Sequence, residues 1–221
     1  MDASGFRTLI LSIIPFLLAI SVHESAHGYV AYRKGDFTAK MLGRITMNPI
    51  RHLDPLGSIM VPIILAFSGA GVIFGWAKPV PVNAFNFKNP RKDMMFVGLA
   101  GPVSNFLLAA VLAFVYRILL FFPGQEILWG NRIGEPLTIM LILSIKISIY
   151  LGVFNLIPVH PLDGSHILEG LLPPEQAKAY SRLSQYGSIF LILLLFTGIL
   201  TAITYPVYAF ILRIISGTFG I

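Results

Sequence analysis

Long apolar runs alternate with short polar connections along this chain, and that rhythm predicts its elements. Residues 6–32 are apolar almost throughout and exceed the roughly 20 residues that a helix needs to cross a bilayer. A polar stretch from Arg33 to Pro55 follows, with turn formers at Asn48-Pro49 and Asp54-Pro55. Apolar character returns over 58–76, interrupted by Pro62 and by Ser68-Gly69-Ala70-Gly71. Residues 75–83 alternate and carry two prolines, which suits an extended segment better than a helix. Residues 94–121 and 137–157 predict two further spanning helices, and 165–184 a short surface helix with a connector. Residues 185–217, with Gly198 and Pro206 inside, predict one long kinked helix or two short ones. There is no internal repeat and no gap that would hold an inserted soluble domain.

The pattern therefore predicts an all-α polytopic membrane protein. It has about four to five transmembrane helices, with a re-entrant or extended segment between the first and second full spans. Residues 1–221 form a single domain in this reading. Composition agrees: 56% of residues are hydrophobic and 12% charged, against about 25% charged in a soluble domain. The net charge of +6 comes from bases scattered among the loops. That scatter fits a cytoplasmic face and excludes the clustered basic surface of a nucleic-acid binder. Zero cysteines exclude disulfides, a thiol nucleophile and a thiolate-held zinc, so any metal must be held by His, Asp or Glu. Arg7, Asp2 and the lack of a small-x-small cleavage site point to a retained first helix, not a signal peptide.

Inside that first helix lies His23-Glu24-Ser25-Ala26-His27. Ionisable groups are costly in hydrocarbon and are rarely placed there without a function. On a soluble amphipathic helix the same pattern would commonly be solvated, but a spanning helix has no wet face to absorb it. His23 and His27 are four residues apart and share one face, so both can reach one metal ion. Glu24 is rotated by about 100° from His23, which suits a base acting on water better than a ligand. Two histidines do not complete a zinc site, so a third ligand must come from elsewhere.

Asp163 is the candidate. To meet the histidines at one membrane depth, helices 6–32 and 137–157 must both run inward and helix 94–121 outward. Residues 58–76 must then enter and leave on one side. Loop charge supports this path. The inside would hold Arg33, Lys34, Lys40, Arg44, Arg51, Lys78, Lys88, Arg91, Lys92, Lys178 and Arg182, and the outside Arg7, Arg117 and Arg132: eleven against three. A full crossing by 58–76 would give seven on each side.

Five motifs in order resemble the site-2 proteases, the intramembrane zinc metalloproteases of peptidase family M50. They are His23-Glu24-x-x-His27, Asn48-Pro49-x-x-His52-x-Asp54-Pro55-x-Gly57, the run Gly75 to Asn83, Ala100-Gly101-Pro102-x-x-Asn105, and Asn155-x-x-Pro158-x-x-x-Leu162-Asp163-Gly164. The likeness is to the compact bacterial type without PDZ or CBS modules. It implies one zinc ion (Zn2+) per chain held by His23, His27 and Asp163, with Glu24 as the catalytic base. It implies that Asn155 and Asn105 help position a membrane-protein substrate bearing a transmembrane helix. It also implies a multi-pass place in the cell membrane, the site facing the cytoplasm. His160 is not expected from the family pattern and stands as a fortuitous neighbour or an auxiliary ligand; His52 and His166 are expected to be solvated loop histidines. Two other readings stay open: a membrane metalloprotease with Glu169 as third ligand, and a metal-binding transporter or non-catalytic scaffold. Transporters commonly carry internal repeats, which this chain lacks.

Overall fold

The computed structural model describes residues 3–61, 63–64, 75–121 and 133–219. Among them there is no β-strand, and four helices are long and apolar enough to cross a membrane. These are α1 (Ala3–Lys34), α3 (Pro90–Phe121), α4 (Gly134–Asn155) and α8 (Ile199–Phe219). Between them lie the short α2 (Thr38–Met41), α5 (Asp163–Leu171), α6 (Pro174–Ser181) and α7 (Ser184–Phe196). Helices α6 and α7 bend by 65° at their junction and would add a fifth span if taken together. The protein is a multi-pass membrane protein. Ile10, Ile13, Leu107, Val111 and Phe114 stand exposed on the outer faces of α1 and α3, where lipid and not water is the natural neighbour.

Predicted and observed spans agree in place, with helix ends shifted by a few residues. Region 185–217 resolves into two helices. Gly198 separates α7 from α8 with φ at +74°, in the left-handed region where a side chain is disfavoured and a helix stops. The predicted 165–184 connector holds two short helices, α5 and α6.

Ion pairs at the helix ends give the relative directions. Lys34, the last residue of α1, lies 3.0 Å from Asp93 in the first turn of α3, so α1 and α3 are antiparallel. Arg7 and Glu135, near the starts of α1 and α4, lie 3.0 Å apart, so those two helices are parallel. The chain between α1 and α3 must therefore return to the side it left. The predicted re-entrant segment 58–76 falls largely on 65–74, outside the described residues. Its two ends are described, and they meet. Trp76 donates its N–H to the Gly57 carbonyl at 3.1 Å, and Ser58 donates its hydroxyl to the Trp76 carbonyl at 2.8 Å. A single crossing would hold these ends about 30 Å apart.

The core runs where α3, α4 and α8 meet. Ala109 and Ala113 let α4 approach closely, and Ile145, Ile149, Val153 and Ile215 fill the seam. At the opposite end, Asp36 ties the loops together. Its wholly buried carboxylate accepts hydrogen bonds from Thr38 N–H and Oγ1, from Asn83 N–H at 2.7 Å and from Asn86 Nδ2 at 2.7 Å.

Burial alone would raise the Asp36 pKa, but these donors hold it below the ordinary carboxylate value. Its stabilisation is thus complete above the unfolded pKa of about 4 and is lost as pH falls through the lower folded value. Asp36→Ala should destabilise the protein by roughly 3 kcal/mol, the scale of two hydrogen bonds to a charged group. Thermal unfolding in detergent at pH 7 tests this, and the gap between wild type and variant should close on acidification.

Candidate metal centre

Helix α1 presents His23 and His27 one turn apart, both buried, with 7% and 8% of their surface exposed. Asp163 opens α5, directly beyond the loop that ends α4. Its carboxylate lies between the two rings: Oδ2 is 3.0 Å from His23 Nε2 and Oδ1 is 3.3 Å from His27 Nε2. One ligand atom from each of the three residues lies within 4.8 Å of the other two, and this is the one such group among the described residues. Ligand atoms around a tetrahedral zinc sit about 3.3 Å apart, given bonds of about 2.0–2.2 Å. Asp163 Oδ2 is buried without a hydrogen-bond donor, which leaves it able to bind a cation. Two imidazoles and one carboxylate are a donor set that zinc accepts, with a fourth position left open.

Helix α3 supplies the wall behind the histidines. Val97, Gly101 and Asn105 recur at intervals of four and so form one stripe. His27 Nδ1 lies 2.7 Å from the Val97 carbonyl, which can only accept. The proton is therefore on Nδ1, and the Nε2 lone pair is free for a metal. Gly101 provides the space: a Cβ there would fall 2.5 Å from His23 Cε1 and from His27 Nε2. Asn105 is fully buried, with Nδ2 placed 3.1 Å from His23 Nδ1 and its Oδ1 left without any partner. The two ends of a carboxamide are assigned by their surroundings. Exchanging them satisfies the orphaned oxygen with a proton on His23 Nδ1 and again leaves Nε2 free. Gly164 allows the approach of α5, since a Cβ there would collide with the Leu156 and Ile157 carbonyls at the end of α4.

The other residues singled out by sequence have different surroundings. Glu24 Oε2 accepts the Val80 N–H at 2.8 Å, which ties the 75–83 segment to α1. That segment is gripped further by Arg44, whose Nη2 donates to the Lys78 and Pro79 carbonyls at 2.7 and 3.3 Å. Asn155 ends α4 and donates Nδ2 to the Leu151 carbonyl within its own helix. His160 is outside the ligand group; its ring packs 5.2 Å from Tyr180 and 5.9 Å from His166. His52 is not the solvated histidine expected. It is 1% exposed, with Nε2 2.8 Å from the Thr46 carbonyl and its own carbonyl accepting Lys78 N–H. His166 is also partly buried, and burial pushes its pKa down. Sequence reasoning missed Val97, Gly101 and Val80. Gly101 had a signal, a glycine one turn before Asn105 in a spanning helix. Val97 and Val80 act through their backbones, which leave no trace in residue type.

Three residues that could hold a metal ion thus lie together between the spanning helices of a multi-pass membrane protein. Comparison with known proteins agrees. The model of Peptidase family M50 matches residues 128–196, a range that includes Asp163. A relative in Bacillus subtilis (strain 168), named "Putative zinc metalloprotease YwhC", is 40% identical over 89% of this chain and 87% of its own length. The Rip2 protein of Mycolicibacterium smegmatis, whose name also describes a zinc metalloprotease, is 29% identical over 85% of this chain and 67% of its own. "Zinc metalloprotease MJ0392" of Methanocaldococcus jannaschii is 27% identical over 88% of this chain but 45% of its own. No solved structure matches. The chain belongs to peptidase family M50 and is a zinc metalloprotease.

Two substitutions test the wall behind the ligands. Asn105→Ala should weaken zinc binding about 10–100-fold by freeing the His23 ring. Gly101→Ala should cost at least as much, because its Cβ occupies space the imidazoles need. Zinc competition with a chromogenic chelator reads both.

Proposed function

We propose that this zinc metalloprotease cleaves peptide bonds within or beside the transmembrane segments of other membrane proteins, in regulated intramembrane proteolysis. The observation that carries this reading is the enclosure of His23, His27 and Asp163 between helices that span the membrane. A ligand set placed there serves a substrate that arrives through lipid.

His23, His27 and Asp163 would hold the metal with Nε2, Nε2 and the carboxylate, and zinc held there would supply Lewis acidity to the water and to the carbonyl to be attacked. Glu24 would take the proton of the attacking water and pass it to the leaving amine. The Val80 N–H anchors its Oε2, which leaves Oε1 for the proton. Asn105 orients His23 in this scheme and does not touch substrate. Asn155 has its Nδ2 spent on Leu151, so its Oδ1 is available to accept a substrate backbone N–H. A substrate helix must unwind before attack, and the 75–83 segment offers backbone groups for the unwound strand to pair with.

We place the protein in the cell membrane with the site towards the cytoplasm, on the excess of basic residues in the loops after α1 and before α3. The chain has no cysteine, so single cysteines report topology cleanly. Met41→Cys, on an exposed position beyond α1, should react with an impermeant maleimide in inside-out vesicles and stay unlabelled in right-side-out ones. The reverse labelling overturns the orientation.

Purified wild type and Glu24→Gln should both hold zinc. Only wild type should cut a single-span model substrate, with the variant slower by about 100-fold or more. Asp163→Ala should lose zinc. Equal cleavage by wild type and Glu24→Gln would remove Glu24 from the mechanism; full zinc retention in Asp163→Ala would place the third ligand elsewhere.

A further inference from the structure

Helix α4 carries a lysine, Lys146, that the metal centre does not use. At 1.5 Å per residue it lies about 18 Å from Gly134 and about 14 Å from Asn155, close to the middle of the span. Its side chain is exposed on the face of α4 turned towards α8, away from the stripe of Ile145, Ile149 and Val153 that packs on α3. There it lines a cavity of about 330 Å³ with Ile147, Tyr150, Thr201, Tyr205 and Tyr208. Among the described residues Lys146 has no ion pair and no hydrogen bond, and the three tyrosine hydroxyls also lack hydrogen bonds. The cavity therefore has an almost wholly apolar wall, bordered by one cation with no acceptor to meet it. A charged side chain at this depth is costly unless it finds a partner, and a lysine stem of about 6 Å does not span the distance to either interface.

The acids on the described spans are already engaged. Glu24 holds Val80 N–H, Asp93 pairs with Lys34, and Glu135 pairs with Arg7. A second copy of this chain thus offers no unengaged carboxylate at mid-span among those residues. Lipid phosphates and fatty-acid carboxylates concentrate at the interface, far from Lys146. A carboxylate fixed near the middle of another protein's membrane helix is at the right depth, and polar pairs between helices are a recurrent glue in bilayers.

We propose that the α4–α8 cavity is a docking site for a partner transmembrane helix that bears an Asp or Glu near its midpoint. Lys146 pairs with the carboxylate, and the apolar wall of the cavity receives the apolar side chains that flank it. The site lies on a different face of α4 from the residues that pack against α3, so it selects a bound helix and does not take part in peptide hydrolysis.

Binding tests this independently of cleavage. The full chain, as Glu24→Gln so that nothing is cut, is placed in zwitterionic lipid nanodiscs and titrated with labelled leucine-rich single-span peptides. A peptide with a central Asp should bind roughly tenfold more tightly than the same peptide with Asn. Moving the Asp near a terminus should abolish the gain. Lys146→Met should remove the preference for Asp and Lys146→Arg should keep it, and zinc content should stay at the parent level in both. Equal affinity for Asp and Asn peptides overturns the proposal, as does an Asp preference that survives Lys146→Met. So does displacement of the Asp peptide by oleate in proportion to oleate binding at the cavity, which would make it a lipid site. If Lys146→Met loses zinc and hence its fold, the same comparison with Lys146→Gln decides.

Discussion

One carboxylate between two imidazoles, inside an apolar bundle, governs the arrangement of this molecule. Asp163 must reach His23 and His27 at a depth where an unpaired charge is costly. Meeting that requirement makes α1 and α4 parallel, sends α3 back between them, and returns the connection between α1 and α3 to the side it left. It also sets the residue types around the centre. Gly101 and Gly164 are small because imidazole rings and α4 carbonyls occupy the space a side chain would need. Asn105 and the Val97 carbonyl are where they are because each histidine needs its second ring nitrogen engaged before the first can serve a metal.

A second set of contacts connects the loops to this centre. Asp36, Arg44 and His52 are all buried, and each binds backbone groups of the segment that runs from Lys78 to Asn83 or of the loop beneath it. The same segment supplies Val80 N–H to Glu24. Glu24 is therefore positioned by a chain of backbone hydrogen bonds that begins outside the membrane-spanning helices. Polar residues that look like ordinary loop positions hold its carboxylate in place. Lys146 obeys the opposite logic. Nothing among the described residues satisfies it, and a carboxylate on a partner helix is the counter-charge proposed for it.

Much of this was legible in the sequence, for physical reasons that differ from element to element. Spans of 20 or more apolar residues declare themselves because a bilayer sets their length. His23, Glu24 and His27 declare themselves because helical spacing puts the histidines on one face, and hydrocarbon tolerates no idle polar group. The return path of the 58–76 region followed from the need to bring Asp163 to the histidines, and the Gly57–Trp76 and Ser58–Trp76 hydrogen bonds close its ends as that argument required. The break between α7 and α8 was visible only as a choice between two forms, because a glycine permits a left-handed turn without demanding one.

What the sequence by itself determined is the class of fold, the candidate metal ligands and the relative directions of the spans, all of which depend on residue type, period and charge. What only the tertiary structure decided is which groups touch them. Asn105 faces a histidine, His160 packs on Tyr180, His52 is buried, and Lys146 stands against tyrosines of another helix. The Val97 carbonyl and the Val80 N–H belong to the same group. Backbone atoms are identical at every position, so only the path of the chain in space can show which of them do chemistry's positioning work.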